Sequence, residues 1–234
     1  MSDKSVVITL DGPAGVGKST LARSLAGKLG LAFLDTGAMF RSVAHNLGAA
    51  ALELSDGELR ERLERLKFSL VKPAAGDSGW ELACNGRVPG QEIRGERVGR
   101  LASKVAALGL VREFLKQSQQ ELGRRYSLVA EGRDMGSVVF PQACCKFFLD
   151  AAPSVRARRR WLQLQEQGVS GPELPALEEI EAQIRERDQQ DRNRALAPLR
   201  PAADAVIVDT SGLGLEEVLG LLLDEAGRKM EACR

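Results

Sequence analysis

The sequence contains a single histidine, His45, and no apolar run that approaches the length of a membrane span. Lys and Arg together number 33 and Asp and Glu number 32, so the net charge gives no case for binding DNA or an anionic membrane. Charged residues stand near the N-terminus where a signal peptide needs its apolar core, and we expect a cytoplasmic protein. These absences exclude catalysis by a histidine cluster and lead us to expect neither a membrane nor a nucleic-acid partner.

The cysteines also lack a recognisable pattern. Cys84, Cys144, Cys145 and Cys233 form no C-x-x-C pair and no zinc-ligand spacing. Reduced thiols are the expected state of such cysteines in the cytoplasm.

The most informative segment is a short apolar run followed by a glycine-rich loop. Val6–Leu10 has the composition of a buried strand in a parallel sheet, and residues 12–19 match G-x-x-x-x-G-K-[ST]. Leucines then recur at four-residue spacing until Gly30, as on one face of a helix. Strand, loop and helix come in the order that a phosphate-binding loop requires, which makes a chance glycine-rich turn the weaker interpretation.

The chemistry of this loop follows from its residue types. Glycines allow backbone N–H groups to turn toward an anion, and the start of a helix adds its positive dipole end. Lys18 supplies a flexible charge to the β- and γ-phosphates of a nucleotide, and the Ser19 hydroxyl can ligate Mg²⁺. The predicted ATP-binding residues are Gly12, Pro13, Ala14, Gly15, Val16, Gly17, Lys18, Ser19 and Thr20.

Further apolar runs predict an α/β fold with a five-stranded parallel sheet flanked by helices. The four additional strands are predicted at Leu31–Leu34, Ser127–Ala130, Lys146–Asp150 and Ala205–Asp209. A C-terminal helix is predicted from about Leu215.

Two segments interrupt this pattern. Residues 67–93 predict a small antiparallel insert, with strands at Lys67–Val71, at Trp80–Cys84 and from Val88 onward, and with a hairpin turn at Asn85-Gly86. Residues 153–197 are polar and predict two helices that resemble a flap rather than part of the core.

Arginines in the flap repeat at helical spacing. Arg156, Arg159 and Arg160 share one predicted helix face, and so do Arg187, Asp191 and Arg194. Taken alone, each set is explained by a solvated helix with ordinary ion pairs. Beside a phosphate loop, however, phosphoryl transfer needs cations around the transferred group, and a flap that carries them would also exclude water.

Arg133 and Asp134 directly follow a predicted core strand. One interpretation is a turn in which Asp134 accepts hydrogen bonds from backbone N–H groups. We favour a functional one, in which Arg133 binds an acceptor phosphate and Asp134 helps to order a base-recognition site. Arg41 also follows a core strand, and the two arginines are expected to converge.

Four segments in this order resemble the bacterial cytidylate (CMP/dCMP) kinases over essentially the whole chain. They are residues 11–20 (DGPAGVGKST), 35–41 (DTGAMFR), 131–136 (EGRDMG) and 187–194 (RDQQDRNR). The small antiparallel insert is also a feature of that family. The resemblance implies the nucleoside monophosphate kinase fold, with a core of residues 1–37, 127–152 and 198–234, a monophosphate-binding part at 38–126 and a lid at 153–197.

The resemblance also implies residue roles. Arg41 and Arg133 would hold the 5′-phosphate of CMP, and Arg156 with its neighbour Arg160 would close over ATP. Other residues would surround the base and the sugar. Those expected around the cytosine are Thr36, Arg112, Asp134 and Arg194, and those at the sugar are Ser103, Arg187 and Asp191.

The implied reaction is ATP + (d)CMP ⇌ ADP + (d)CDP with Mg²⁺. We expect the chain to act as a monomer. Two residues depart from the family pattern: Phe40 stands where tyrosine is usual, and Glu131 stands where aspartate is common. Another P-loop kinase, for a different monophosphate or for shikimate, is the first alternative. A nucleotide-dependent switch is the second, although the sequence lacks the Asn-Lys-x-Asp motif of GTPases.

Overall fold

A computed structural model of the chain describes residues 5–72 and 79–232. The strands are β1 (Val7–Asp11), β2 (Ala32–Asp35), β3 (Phe68–Val71), β4 (Glu81–Cys84), β5 (Leu128–Gly132), β6 (Cys145–Asp150) and β7 (Val206–Asp209). The helices are α1 (Lys18–Leu29), α2 (Thr36–Leu47), α3 (Asp56–Glu64), α4 (Glu96–Val105), α5 (Gly109–Arg125), α6 (Pro153–Glu166), α7 (Leu177–Asn193) and α8 (Leu215–Ala232).

Five strands form one sheet in the order β2-β5-β1-β6-β7. Strand β2 pairs with β5 in parallel, as do β1 with β6 and β6 with β7. Apolar side chains of the inner strands are fully buried, as Ile8 and Leu10 of β1 show, because helices cover both faces of a parallel sheet. The predicted five-stranded parallel sheet is confirmed.

The chain divides into two compact units. The first consists of residues 5–7 and 26–132. In it α2 packs against α4, and α3 packs against α5. Helix α3 begins directly after Ser55, which forms a reciprocal capping box with Glu58.

The antiparallel insert lies in this first unit and is shorter than predicted. Strands β3 and β4 form the predicted antiparallel pair, and residues 73–78 between them lie outside the described part of the chain. Asn85 and Gly86 make a turn with positive φ, but a single bridge between Cys84 and Arg87 follows it. The strand predicted from Val88 is wrong, because Pro89 has no N–H to donate and a 3-10 turn begins at Gln91.

The second unit consists of residues 8–25 and 133–232. Helix α8 packs against β6, and the two helices predicted for the flap, α6 and α7, pack against each other. Among the described residues, no helix is long and apolar enough to span a membrane.

The cysteines differ from the prediction in one case. Cys84 and Cys145 are buried free thiols, but Cys144 is disulfide-bonded, so the expectation of reduced thiols is wrong there. Its Sγ lies 3.4 Å from the carbonyl oxygen of Lys229 in α8. The fold thus brings a distant segment beside Cys144, which local spacing cannot indicate. Cys233 lies outside the described residues.

Candidate active site

The glycine-rich loop connects β1 to α1 in the second unit. Gly12 has a φ of +148°, and a Cβ built on it would lie 2.1 Å from the carbonyl oxygen of Leu149 in β6. Only glycine permits two backbones to approach this closely. Gly15 and Gly17 also have positive φ, +82° and +89°, so the loop follows a path that residues with side chains rarely adopt.

Lys18 begins α1 and is the cation of the loop. Its side chain is buried, and its Nζ donates a hydrogen bond to the carbonyl oxygen of Pro13 at 2.6 Å. The ammonium group therefore lies over the loop itself, beside the N-terminus of α1, where backbone N–H groups and the helix dipole favour an anion. This arrangement can bind the phosphates of a nucleotide.

The residues present also fit a magnesium ion that arrives with a nucleotide. Ser19 is exposed in the first turn of α1 and offers a hydroxyl oxygen. Mg²⁺ commonly takes one or two protein oxygens together with substrate phosphates and water. Within residues 5–72 and 79–232, no three His, Cys, Asp or Glu side chains are grouped to hold a metal without such a substrate.

Arg156 of α6 is 1% exposed and is bound on all sides by acceptors of the protein. Its Nε donates to the Ala151 carbonyl oxygen at 2.8 Å, and its Nη1 donates to the carbonyl oxygen of Ala14 in the phosphate loop at 3.0 Å. Both guanidinium Nη atoms also donate to the carboxylate of Asp188 in α7. Arg156 therefore joins α6, α7 and the phosphate loop.

The other two arginines of the predicted α6 face have separate surroundings. Arg159 donates to the hydroxyl and the carbonyl oxygen of Thr210, just after β7. Arg160 is exposed and donates to Gln163 of its own helix. Helical spacing thus predicted a shared face, whereas the hydrogen-bond partners of each arginine depend on how deeply its side chain is buried.

Four predicted acceptor-binding residues meet in one network of the second unit. Arg133 Nε donates to Asp191 Oδ2 at 2.8 Å. Arg194 lies 3.7 Å from the other oxygen of Asp191 and 3.5 Å from Asp134 Oδ1. Burial opposes the ionisation of Asp191, but Arg133, with help from Arg194 and Arg187, holds its pKa below the usual range. The network is a set of fixed charges at which an anionic ligand can be oriented.

Arg187, predicted at the sugar, is exposed on α7 and contributes to this field through its charge. The segment 187–194 therefore presents its predicted residues at different depths. Asp188, which the sequence analysis did not assign, is the most deeply buried residue of α7 after Ile180.

The remaining predicted acceptor residues lie in the first unit. Thr36 is buried at the start of α2 and donates to the Glu131 carbonyl oxygen at 2.6 Å. Arg41 is half-buried further along α2, and Ser103 is exposed on α4. The guanidinium carbon of Arg112 lies 5.7 Å from the centre of the Phe40 ring. The predicted convergence of Arg41, in this unit, with Arg133, in the other, stays a prediction.

Comparison with known proteins identifies the family. A family model described as cytidylate kinase matches residues 8–228. The chain belongs to the cytidylate kinase family.

Relatives in the cytidylate kinase family match nearly the whole chain. The cytidylate kinase of Nitratidesulfovibrio vulgaris strain Hildenborough is 55% identical over 217 residues, covering 93% of this chain and 90% of that protein. The cytidylate kinase of Oleidesulfovibrio alaskensis strain G20 is 51% identical over 220 residues, covering 94% and 97%. The solved shikimate kinase of Bacteroides thetaiotaomicron is 18% identical, with a TM-score of 0.48 over 94% of this chain and 97% of that one.

The resemblance to cytidylate kinases drawn from four sequence segments is thereby confirmed. Sequence reasoning nevertheless missed two residues of the site. Asp188 holds Arg156, and Asp11, at the end of β1, accepts hydrogen bonds from the backbone after Asp134. The signal for both was present, since each is an acidic residue inside a segment already singled out, but their partners are distant in the sequence.

Proposed function

We propose that this chain transfers the γ-phosphoryl group of ATP to the 5′-phosphate of CMP or dCMP, giving ADP and CDP or dCDP, and that it acts as a monomer in the cytoplasm. The observation that carries the proposal is the network of Arg133, Asp134, Asp191 and Arg194. It brings together two distant sequence segments of a cytidylate kinase family chain, in the same unit as the phosphate loop.

The donor is assigned to the phosphate loop. Backbone N–H groups of residues 12–19 and the Lys18 ammonium would bind the β- and γ-phosphates of ATP. Ser19 would hold Mg²⁺, which neutralises charge on these phosphates when it is bound. The acceptor phosphate is already an anion near neutral pH, so the reaction needs alignment and charge stabilisation rather than a general base.

The acceptor is assigned to the arginines and to Asp134. Arg133 would bind the 5′-phosphate, and the Asp134 carboxylate would accept a hydrogen bond from the N4 amino group of cytosine. Uracil carries an oxygen at that position and would be repelled. The proposal gives further roles in acceptor binding to Thr36, Arg41, Ser103, Arg112, Arg187, Asp191 and Arg194.

The helices of residues 153–197 are proposed to act as a lid. Arg156 and Arg160 would add positive charge near the transferred group, and a closed lid would keep water from hydrolysing ATP.

The proposal is tested by an ADP-release assay with ATP and one acceptor at a time. CMP and dCMP are expected to be phosphorylated, and AMP, UMP and shikimate are expected to react much more slowly. A preference for any of these three would indicate another P-loop kinase. Slow GTP hydrolysis without phosphorylation of CMP would favour a nucleotide-dependent switch.

Two variants test the residue assignments. Arg133→Ala is expected to raise KM and lower kcat for CMP while ATP affinity, measured by titration, stays nearly unchanged. Asp134→Ala is expected to narrow the difference in kcat/KM between CMP and UMP. The matched control is Arg185→Ala, since Arg185 is exposed on α7 and pairs with Glu181 of its own helix. If Arg133→Ala weakened ATP binding as much as it weakened CMP binding, the assignment of Arg133 to the acceptor would be contradicted.

A further inference from the structure

Asp11 joins the base of the phosphate loop to the segment that carries Arg133 and Asp134. It is the last residue of β1, is 3% exposed and directly precedes Gly12. Its Oδ1 accepts a hydrogen bond from the Met135 backbone N–H at 2.9 Å, and its Oδ2 accepts one from the Gly136 N–H at 2.8 Å. Each oxygen of one buried carboxylate therefore accepts a hydrogen bond from one of two successive backbone amides.

Such a pair of hydrogen bonds fixes the direction of the backbone as well as its position. Met135 begins a short π-helical turn, Met135–Val139, directly after Asp134. The turn also packs closely on the sheet, because a Cβ on Gly136 would lie 2.9 Å from Thr9 Oγ1 and 3.2 Å from Lys146 Cδ. Because Met135 and Gly136 are held in this way, the backbone positions from which the Arg133 and Asp134 side chains extend are fixed.

The choice of a carboxylate at this place is energetically costly. Burial, with a smaller contribution from the Asp134 carboxylate, raises the pKa of Asp11 to about 6, although the two amides and Lys18 act in the opposite direction. Asp134 itself faces Arg194. An ionised carboxylate is acceptor-only, whereas an amide or a protonated acid would turn a donor toward one of the two N–H groups. The ionised form thus accepts from both amides without placing a donor against either of them.

We propose that Asp11 is a positioning residue for acceptor binding, which fixes Arg133 and Asp134 in place from the base of the phosphate loop. The inference rests on the proposed function, because it assigns to Asp11 the orientation of the residues that would bind CMP. It adds a direct mechanical connection between the donor loop and the acceptor segment within the second unit.

The first test observes the hydrogen bonds in the wild-type protein without ligands. The backbone amide resonances of Met135 and Gly136 are followed by NMR between pH 4.5 and 8. Both are expected to shift with a common midpoint near pH 6 in the wild type and not in Asp11→Asn. The control is Asp209→Asn, which removes the charge of an exposed carboxylate at the end of β7 that accepts a hydrogen bond from the Ser211 N–H. The Met135 and Gly136 titration is expected to persist in that control.

The second test separates positioning from a general structural role. Asp11→Asn is expected to raise KM for CMP about 10- to 100-fold, since small misplacements of binding groups have effects of this size, while KM for ATP changes less than about twofold. Equal increases in both KM values, or an unchanged KM for CMP in a folded variant, would overturn the positioning role.

The two proposals fail in different ways. If the wild type does not phosphorylate CMP, the proposed function fails, whether or not the amides titrate. If the wild type is active but KM for CMP in a folded Asp11→Asn variant rises no more than KM for ATP, only the role of Asp11 fails. If Asp11→Asn does not fold, hydrogen exchange of the Met135 and Gly136 amides in the wild type tests the two hydrogen bonds directly, and rapid exchange of both amides would overturn the role of Asp11.

Discussion

Asp188 in α7 presents both carboxylate oxygens to the guanidinium group of Arg156 in α6, with one oxygen 3.1 Å from Nη1. The Arg156 side chain is 1% exposed and that of Asp188 is 12% exposed, so water screens this ion pair little. The same Nη1 also donates to the Ala14 carbonyl oxygen of the phosphate loop. The position of α7 is therefore linked to the loop through one side chain.

Removing Asp188 should destabilise the protein strongly. Asp188→Ala leaves the Arg156 guanidinium buried without its counter-charge, and we expect the free energy of unfolding to fall by about 3–5 kcal/mol. Urea denaturation measures this change. The matched control is Glu186→Ala on the same helix, where the side chain is exposed, and a change below about 0.5 kcal/mol is expected. Similar decreases in unfolding free energy for the two variants would show that the buried ion pair is no more important for stability than an exposed side chain.

Gly12 should tolerate a methyl group less well than other glycines of positive φ. Gly12→Ala places a Cβ against the backbone oxygen of Leu149, 2.1 Å away, and a strand within a sheet cannot move to relieve the clash. Gly30→Ala is the control, since Gly30 has a φ of +68° but open space around its Cβ position. We expect Gly30→Ala to cost about 1–2 kcal/mol of unfolding free energy and Gly12→Ala to cost more and to abolish ATP binding. Equal losses, with ATP binding retained, would contradict the close-approach argument.

Replacing Asp11 should change how stability depends on pH. The pKa of Asp11 rises from 3.8 to about 6 on folding, so the folded protein binds this proton more tightly than the unfolded chain. Its contribution to stability is fully present below about pH 4 and is lost as the pH rises through about 6. The unfolding free energy of Asp11→Asn relative to the wild type should therefore rise by about 2–3 kcal/mol between pH 4 and pH 7. Urea denaturation at several pH values checks this, and a difference that stays constant with pH would contradict the raised pKa.

Phe40 should act through its ring and not through a missing hydroxyl. The ring faces the Arg112 guanidinium, whose Nη1 also donates to the Ala106 carbonyl oxygen at 3.3 Å. Phe40→Leu removes a cation–π contact of about 0.5–1 kcal/mol, so we expect KM for CMP to rise about two- to fivefold. Phe40→Tyr keeps the ring and should leave KM for CMP close to the wild-type value. Steady-state kinetics would contradict this if the two variants behaved alike.

Local sequence patterns predicted most of the fold. Apolar runs predicted the strands of the sheet because a buried parallel strand needs apolar residues on both faces. The Asn85-Gly86 signal predicted a turn, which the structure has, but it could not show that Pro89 ends the pairing after one bridge.

The sequence analysis named residues for the candidate site but could not indicate the contacts between them. The spacing of Arg156, Arg159 and Arg160 identified a shared helix face. The partners of Arg156, however, come from residues 14 and 188, and those of Asp11 lie 124 and 125 residues away in the sequence. Such contacts depend on tertiary packing, to which a single sequence gives no local signal.

The complete engagement of Arg156 has a consequence for ATP affinity. The guanidinium group already donates to the backbone oxygens of residues 14 and 151 and to the Asp188 carboxylate. It can therefore bind a nucleotide only if some of these hydrogen bonds break. A dissociation constant measured for ATP then reports the difference between the hydrogen bonds made to the nucleotide and those broken within the protein. A variant with weaker internal hydrogen bonds to Arg156 would bind the nucleotide more tightly, but its α6 and α7 would be less firmly packed together.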